Sequence, residues 1–403
     1  MSTSAPRAEA VSLTPGQTRR LVVGSYLVMM GLAGCIAPLA VCLTSIAQTF
    51  PDLTPAGLGL LSTATLLGVM AAMLATGPLA DRWGLRRFML IGAAIQAVAL
   101  VLMAFSPTAT AFLLLTALTG LGTGAEDALA SPLIAGIQPA NRTRAMNLLH
   151  ACFPFGSLTM IAGSSALLSH FGTWRAVFPV MALPTLAGLV IFAVTPFPPS
   201  ELLGDPLSGA RRLLKSGPFW VALVGIFLAG ATELGATHWM PAYVERLLGG
   251  SREAGARVYM GFATGMLVGR LSAGALAHRL RPVLLLLAAT GLCLACLLVA
   301  SFTGGVPAIA ALVCLGLGVA PWWPTLLAYA SDRVPEGGAT MFSVLAALGN
   351  AGGALAPSVI GLAASYGTLR TGYRAAAIFP LLAVLLFAWR MWDRRRAHAR
   401  AEE

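Results

Sequence analysis

Glu126, Asp127, His150, Glu233 and Arg270 each stand inside a stretch that is otherwise apolar, and each can carry a proton or hold an ion. The two adjacent acids lie in GLGTGAEDALASP, His150 in MNLLHACFPFGSL, Glu233 in GATELGATHWMPAYVER and Arg270 in MGFATGMLVGRLSAG. A charged residue at the centre of a bilayer costs about 2.5–3.5 kcal/mol on insertion scales, so each of these positions is first read as functional. Glu126 and Asp127 project roughly 100° apart on a helix, so at most one is expected to face a cavity. A carboxyl buried without a partner suits a group that takes up and releases protons. The alternative is permanent pairing with Arg142 or Arg270, which would tie helices together.

Glu126, Asp127 and Glu233 are thus the candidate proton-coupling groups, and Glu126 and Glu233 are also candidate substrate ligands. Asn147 and His150 share a helix face and could both contact a substrate. Asn350 is a similar candidate among Gly349, Gly352 and Gly353, which read as close-packing positions. Trp322 and Trp323 offer aromatic faces on which the apolar side of a substrate ring can rest, or else serve interhelical packing. Pro321 and Pro324 flank the pair and should break the helix and free carbonyls. His238 reads as an outer gate or packing residue, and Arg270 as an ion-pair partner or gate.

The elements that position these groups follow from composition. Charged residues make up 10% of 403 and apolar ones 57%, against roughly 25% charged in a soluble chain, so lipid is the main solvent. Twelve apolar segments of spanning length are separated by short polar breaks, and without strand alternation the spanning element is the α-helix. The net charge of +11 comes from Arg in short loops and tails, a topology bias that places both termini in the cytoplasm and does not indicate nucleic acid. The six cysteines lie in apolar spans and read as packing residues; no metal set or other cofactor is expected. A Walker-type phosphate loop is missing and Lys215 lies in a linker, which argues against direct use of ATP. With no soluble domain to hold a catalytic site, an enzyme is not expected.

Residues 1–20 read as a polar N-terminal tail with no cleavable signal, 21–195 as a six-helix half, 196–217 as a cytoplasmic linker, 218–392 as a second half and 393–403 as a C-terminal tail. Three matches at nearly one offset relate the halves. GPLADRWGLRR from Gly77 matches GALAHRLRP from Gly274, GLGTGAEDALA from Gly120 matches GLGVAPWWPTL from Gly316, and Gly156 matches Gly352. A parallel duplication places a site near the midplane between the halves.

GPLADRWGLRR resembles the loop motif of the major facilitator superfamily, Gly-x-Leu-Ala-Asp-Arg-x-Gly-Arg-Arg, except that Leu85 precedes the arginines. The resemblance implies an all-α polytopic membrane protein with twelve transmembrane helices in two pseudo-symmetric six-helix halves. It also implies that Asp81, Arg82 and Arg86 form a conformational latch, with Asp81 meeting the start of the eleventh span near Gly337 to Met341. Arg142 and Arg270 are further latch or gate residues. The second copy has His278 in place of Asp81, so its latch is expected to be weaker or pH dependent.

The stretches from Met146, Gly230 and Gly316 resemble the fucose–proton symporter and glucose transporter branch. The first span, Leu21 to Phe50, lacks the acid of that pattern, which leaves the fourth and seventh spans to couple protons. The expectation is secondary import of a small polar solute, a sugar by resemblance, with protons, by a monomer in a bacterial inner membrane. Sodium is the alternative ion, export of amphipathic compounds the alternative transport, and a non-transporting sensor or scaffold the alternative class.

Overall fold

The computed structural model describes residues 13–53, 55–198 and 213–402, and every regular element among them is helical. Hydrocarbon offers no partner to a peptide group, so each span must satisfy its own backbone. The first half comprises α1 (Pro15–Thr49), α2 (Pro55–Trp83), α3 (Leu85–Met103), α4 (Ala109–Ile137), α5 (Arg142–Phe171) and α6 (Trp174–Val194). The second comprises α7 (Gly217–Leu248), α8 (Arg252–Leu276), α9 (Pro282–Phe302), α10 (Gly305–Arg333), α11 (Gly338–Ser365) and α12 (Leu369–Trp392).

Two boundaries depart most from the sequence reading. The first helix begins at Pro15, ahead of Leu21, because Thr14 and Gln17 form a reciprocal capping box. The last helix runs on to Glu402, through what reads as a tail. Residues 1–12 of the expected N-terminal tail and 199–212 of the expected linker lie outside the described residues, and the Ser216 hydroxyl caps α7 by accepting from the Phe219 N–H.

The duplicated glycines explain how the halves are built. Lipid gives apolar helices no hydrophobic reason to associate, so contact depends on close approach of small residues. Gly120 and Gly124 on α4 lie against the backbone of Thr65 and Val69 on α2, and Gly122 lies against Gly92 and Gln96 on α3. In the second half, Gly316 meets the Phe262 carbonyl on α8 and Gly318 meets Cys293 on α9. The repeat is therefore a repeat of helix contacts. Across the molecule, α2 packs on α11 and α5 packs on α8, with α10 also against α5.

Four spans are broken. α1 passes through a 3₁₀ turn at Leu32–Cys35, α10 is interrupted between Val319 and Trp322, and α6 and α12 are each interrupted at one residue, Ala182 and Ala377. At the first break Gln96 of α3 donates to the Gly31 carbonyl at 2.7 Å and accepts from Thr185 of α6 at 3.3 Å, so one amide ties three spans together.

Candidate functional site: a central cavity sealed on the side of the termini

On the face that carries the chain termini, the two halves are joined by carboxylates. Asp81 at the end of α2 accepts from the Ala339 N–H at 2.7 Å, the Thr340 N–H at 2.8 Å and the Thr340 hydroxyl. These are the unpaired donors of the first turn of α11, where a carboxylate is also favoured by the helix dipole. Gly338, at φ 57°, lets the backbone turn beside Asp81 where a Cβ would crowd the carboxylate. Arg142 at the start of α5 pairs with Asp332 at the end of α10 at 2.8 Å and donates to the Ala135 carbonyl.

Above this seal is a cavity of about 670 Å³. Its walls come from residues 29–39 of α1, 62–73 of α2, 233–238 of α7 and 350–357 of α11. Each of these runs begins about midway along its span and extends away from the termini, so the cavity opens toward the opposite face. Asp127, His150, Glu233, Arg270, Trp323 and Asn350 all line it.

Arg270 crosses between the halves. Its Nη1 donates to the His150 carbonyl of α5 at 2.6 Å and its Nε to the Ala320 carbonyl of α10 at 3.2 Å. Both acceptors are free for one reason: the residues four positions on, Pro154 and Pro324, have no N–H to return. The guanidinium is thus held by two proline-freed carbonyls, and it is 3% exposed. Asp127 and Glu233 both lie within electrostatic range of it, yet the one ion pair found among the described residues is Arg142–Asp332. His150 Nε2 sits 3.2 Å from the Ser131 hydroxyl.

Several candidates stand elsewhere. Of the adjacent acids, Asp127 faces the cavity; Glu126 is fully buried within the first half, and neither of its carboxyl oxygens has a hydrogen-bond partner among the described residues. Asn147 does not line the cavity with His150 but donates to Thr143 and, across the halves, to Thr325 at 3.3 Å. Trp322 is core, while Trp323 reaches the cavity over Gly349. Arg82 lies over Trp83, and Arg86 bonds the Ala193 carbonyl at the end of α6, so neither arginine joins Asp81 at α11.

The Major Facilitator Superfamily family model matches residues 22–357. The chain belongs to the major facilitator superfamily. Among its relatives, an uncharacterised transporter of this superfamily from Yersinia pestis is 25% identical over 335 residues, 82% of this chain and 85% of that protein. A cis,cis-muconate transport protein from Acinetobacter baylyi is 24% identical over 350 residues, 82% of this chain and 84% of that protein. The E. coli fucose:proton symporter structure superposes with a TM-score of 0.78 at 17% identity, covering 92% of this chain and 98% of that one; at that identity the likeness concerns the fold.

This member of the superfamily is accordingly a multi-pass membrane transporter for a small molecule, not an enzyme. Sequence reading missed Asp332, Thr325 and the two carbonyls that hold Arg270. A cue for the carbonyls was available: a proline four residues after a buried position marks an unpaired acceptor, and Pro154 and Pro324 both meet that description.

Proposed function

We propose that this chain is a proton-coupled secondary transporter that imports a small organic solute by alternating access, with both termini in the cytoplasm of a bacterial cell. One observation carries the reading: a cavity lined by Asp127, Glu233 and Arg270 opens on one face while Asp81 and Arg142 hold the other face shut. In the cycle, a proton from outside neutralises Asp127 or Glu233 and solute occupies the cavity. The Asp81 cap and the Arg142 pair then release, and the halves rock open toward the cytoplasm. The positive bias of the loops on the side of the termini supports the orientation.

The expected sugar cargo loses three of its supporting residues, since Glu126, Asn147 and Trp322 stand away from the cavity. His150, Glu233, Trp323 and Asn350 remain for it. Export of amphipathic compounds is a second reading, favoured by the apolar wall of Met29, Leu32, Leu66, Val69 and Phe153. Proteoliposomes with an imposed pH gradient test the coupling. Asp127→Asn and Glu233→Gln are expected to lower gradient-driven accumulation by at least about tenfold, the effect of roughly 1.4 kcal/mol. Retention of accumulation in both variants would sink the assignment, and accumulation driven only by outward solute movement would favour export.

A further inference from the structure

Resting on the transport reading above, we propose that the cargo is a small organic anion, a carboxylate on a compact apolar body, bound by the guanidinium of Arg270. A guanidinium has five N–H donors in a fixed plane. Two are taken by the His150 and Ala320 carbonyls, one from Nη1 and one from Nε. The second hydrogen of Nη1 and both hydrogens of Nη2 have no partner among the described residues, and a carboxylate is the acceptor that planar guanidinium donors suit best. Because the two carbonyls lie on different halves, the guanidinium is oriented before the ligand arrives. Pre-organisation of this kind lowers the cost of binding.

The surroundings favour an anion over a neutral polyol. Among the described residues no carboxylate forms an ion pair with the guanidinium, so a positive group sits in the membrane interior on the cavity wall. Several hydroxyls that could serve a sugar are already donating: Thr65 to the Leu61 carbonyl, Thr123 to the Cys35 sulfur and Thr237 to the Glu233 carbonyl. Next to the charged groups the wall is Met29, Leu32, Leu66, Val69 and the ring of Trp323, which suits an apolar body. The cavity of about 670 Å³ lies in the range of roughly 300–1,000 Å³ typical of small-molecule sites.

The same geometry links anion to proton. The titratable groups around Arg270 are Asp127 from α4, His150 and Cys152 from α5, Glu233 and His238 from α7, and Tyr259 on α8 itself. A proton on Asp127 or Glu233 removes a negative charge that competes with the ligand for Arg270. Proton and carboxylate therefore favour each other's binding, and by linkage the effect is reciprocal.

Binding to the purified full-length chain tests this with benzoate and hexanoate as probes, against benzamide, hexanamide and D-glucose as neutral comparisons. The expected result is at least tenfold tighter binding of each carboxylate than of its amide, tightening further from about pH 8 to about pH 6, where the probes stay ionised. Arg270→Gln should abolish the preference. Arg270→Lys keeps the charge without the planar donors and should retain part of it, which separates loss of the site from loss of the fold. The proposal is overturned if the wild-type chain binds amide or glucose as well as carboxylate, if it binds no carboxylate, or if a monodisperse Arg270→Gln protein keeps the preference. Gradient-driven glucose accumulation without carboxylate preference would overturn the anion and leave the transport reading standing. Carboxylate binding without gradient-driven accumulation of any solute would do the reverse.

Discussion

The loop after α2 and its repeat after α8 descend from one pattern and now hold the halves together in different ways. After α2, Asp81 caps the first turn of α11, and Gly77 lets the helices touch so closely that a Cβ there would collide with Ser343. After α8, His278 is exposed and bonded only to Arg279 among the described contacts, and Gly274 has ordinary clearance from Arg144 and Asn147. The second copy has no latch at its loop. Its cross-half tether lies deeper, where Arg270 of α8 reaches the His150 carbonyl of α5. The seal is therefore asymmetric: the α2–α11 interface is locked at its loop by Asp81, whereas the interface of α5 with α8 and α10 is held by the partly exposed Arg142–Asp332 pair and, deeper, by Arg270 at the cavity.

That asymmetry can be broken at several points, and the largest effect is expected at Gly77. Gly77→Val should prevent closure on the side of the termini, seen as rapid alkylation of a reporter cysteine at Asn147, whereas Gly274→Ala should leave alkylation unchanged. Next is Asp81→Ala, which removes three acceptor contacts; hydrogen bonds to a charged group are worth about 1.5–3 kcal/mol each, so the closed population should fall by at least about tenfold. His278→Asp would sharpen the comparison by supplying the missing cap at the start of α5, and slower opening in the same alkylation assay is expected. The smallest effect belongs to Asp332→Asn. Its pair with Arg142 is partly exposed, with side chains 23% and 42% accessible, and exposed pairs contribute about 0–1 kcal/mol.

The fold was legible because its determinants are local and repeated. Hydrophobic length gave the spans, and the glycine-bearing motifs at Gly77, Gly120 and Gly316 recur at positions where helices meet in both halves. Asp81 was legible too, because the loop motif that carries it resembles that of the superfamily, and its partners fall within the stretch from Gly337 to Met341 that the resemblance implies. The cavity was harder to read. Spacing shows that Glu126 and Asp127 diverge, but the choice between them depends on how α4 rotates against α2 and α3, and Gly120, Gly122 and Gly124 set that rotation. Asn147 and His150 share a face in the idealised helix, yet Pro154 and the crossing of α5 with α10 divide them between interface and cavity. Arg270 could be recognised as unusual, but not its partners, since they are backbone atoms that no side-chain pattern reveals.

The central claim is that the two faces open in alternation, with the Asp81 cap holding the present state. Double electron–electron resonance can measure this directly, with the six native cysteines replaced. Spin labels at Arg87 and Arg279 would report the face bearing the termini, and labels at Phe105 and Phe302 the opposite face; all four positions are exposed. The account predicts that Asp81→Ala lengthens the first distance and shortens the second in the same sample. Two distances that stay fixed, or that lengthen together, would contradict it.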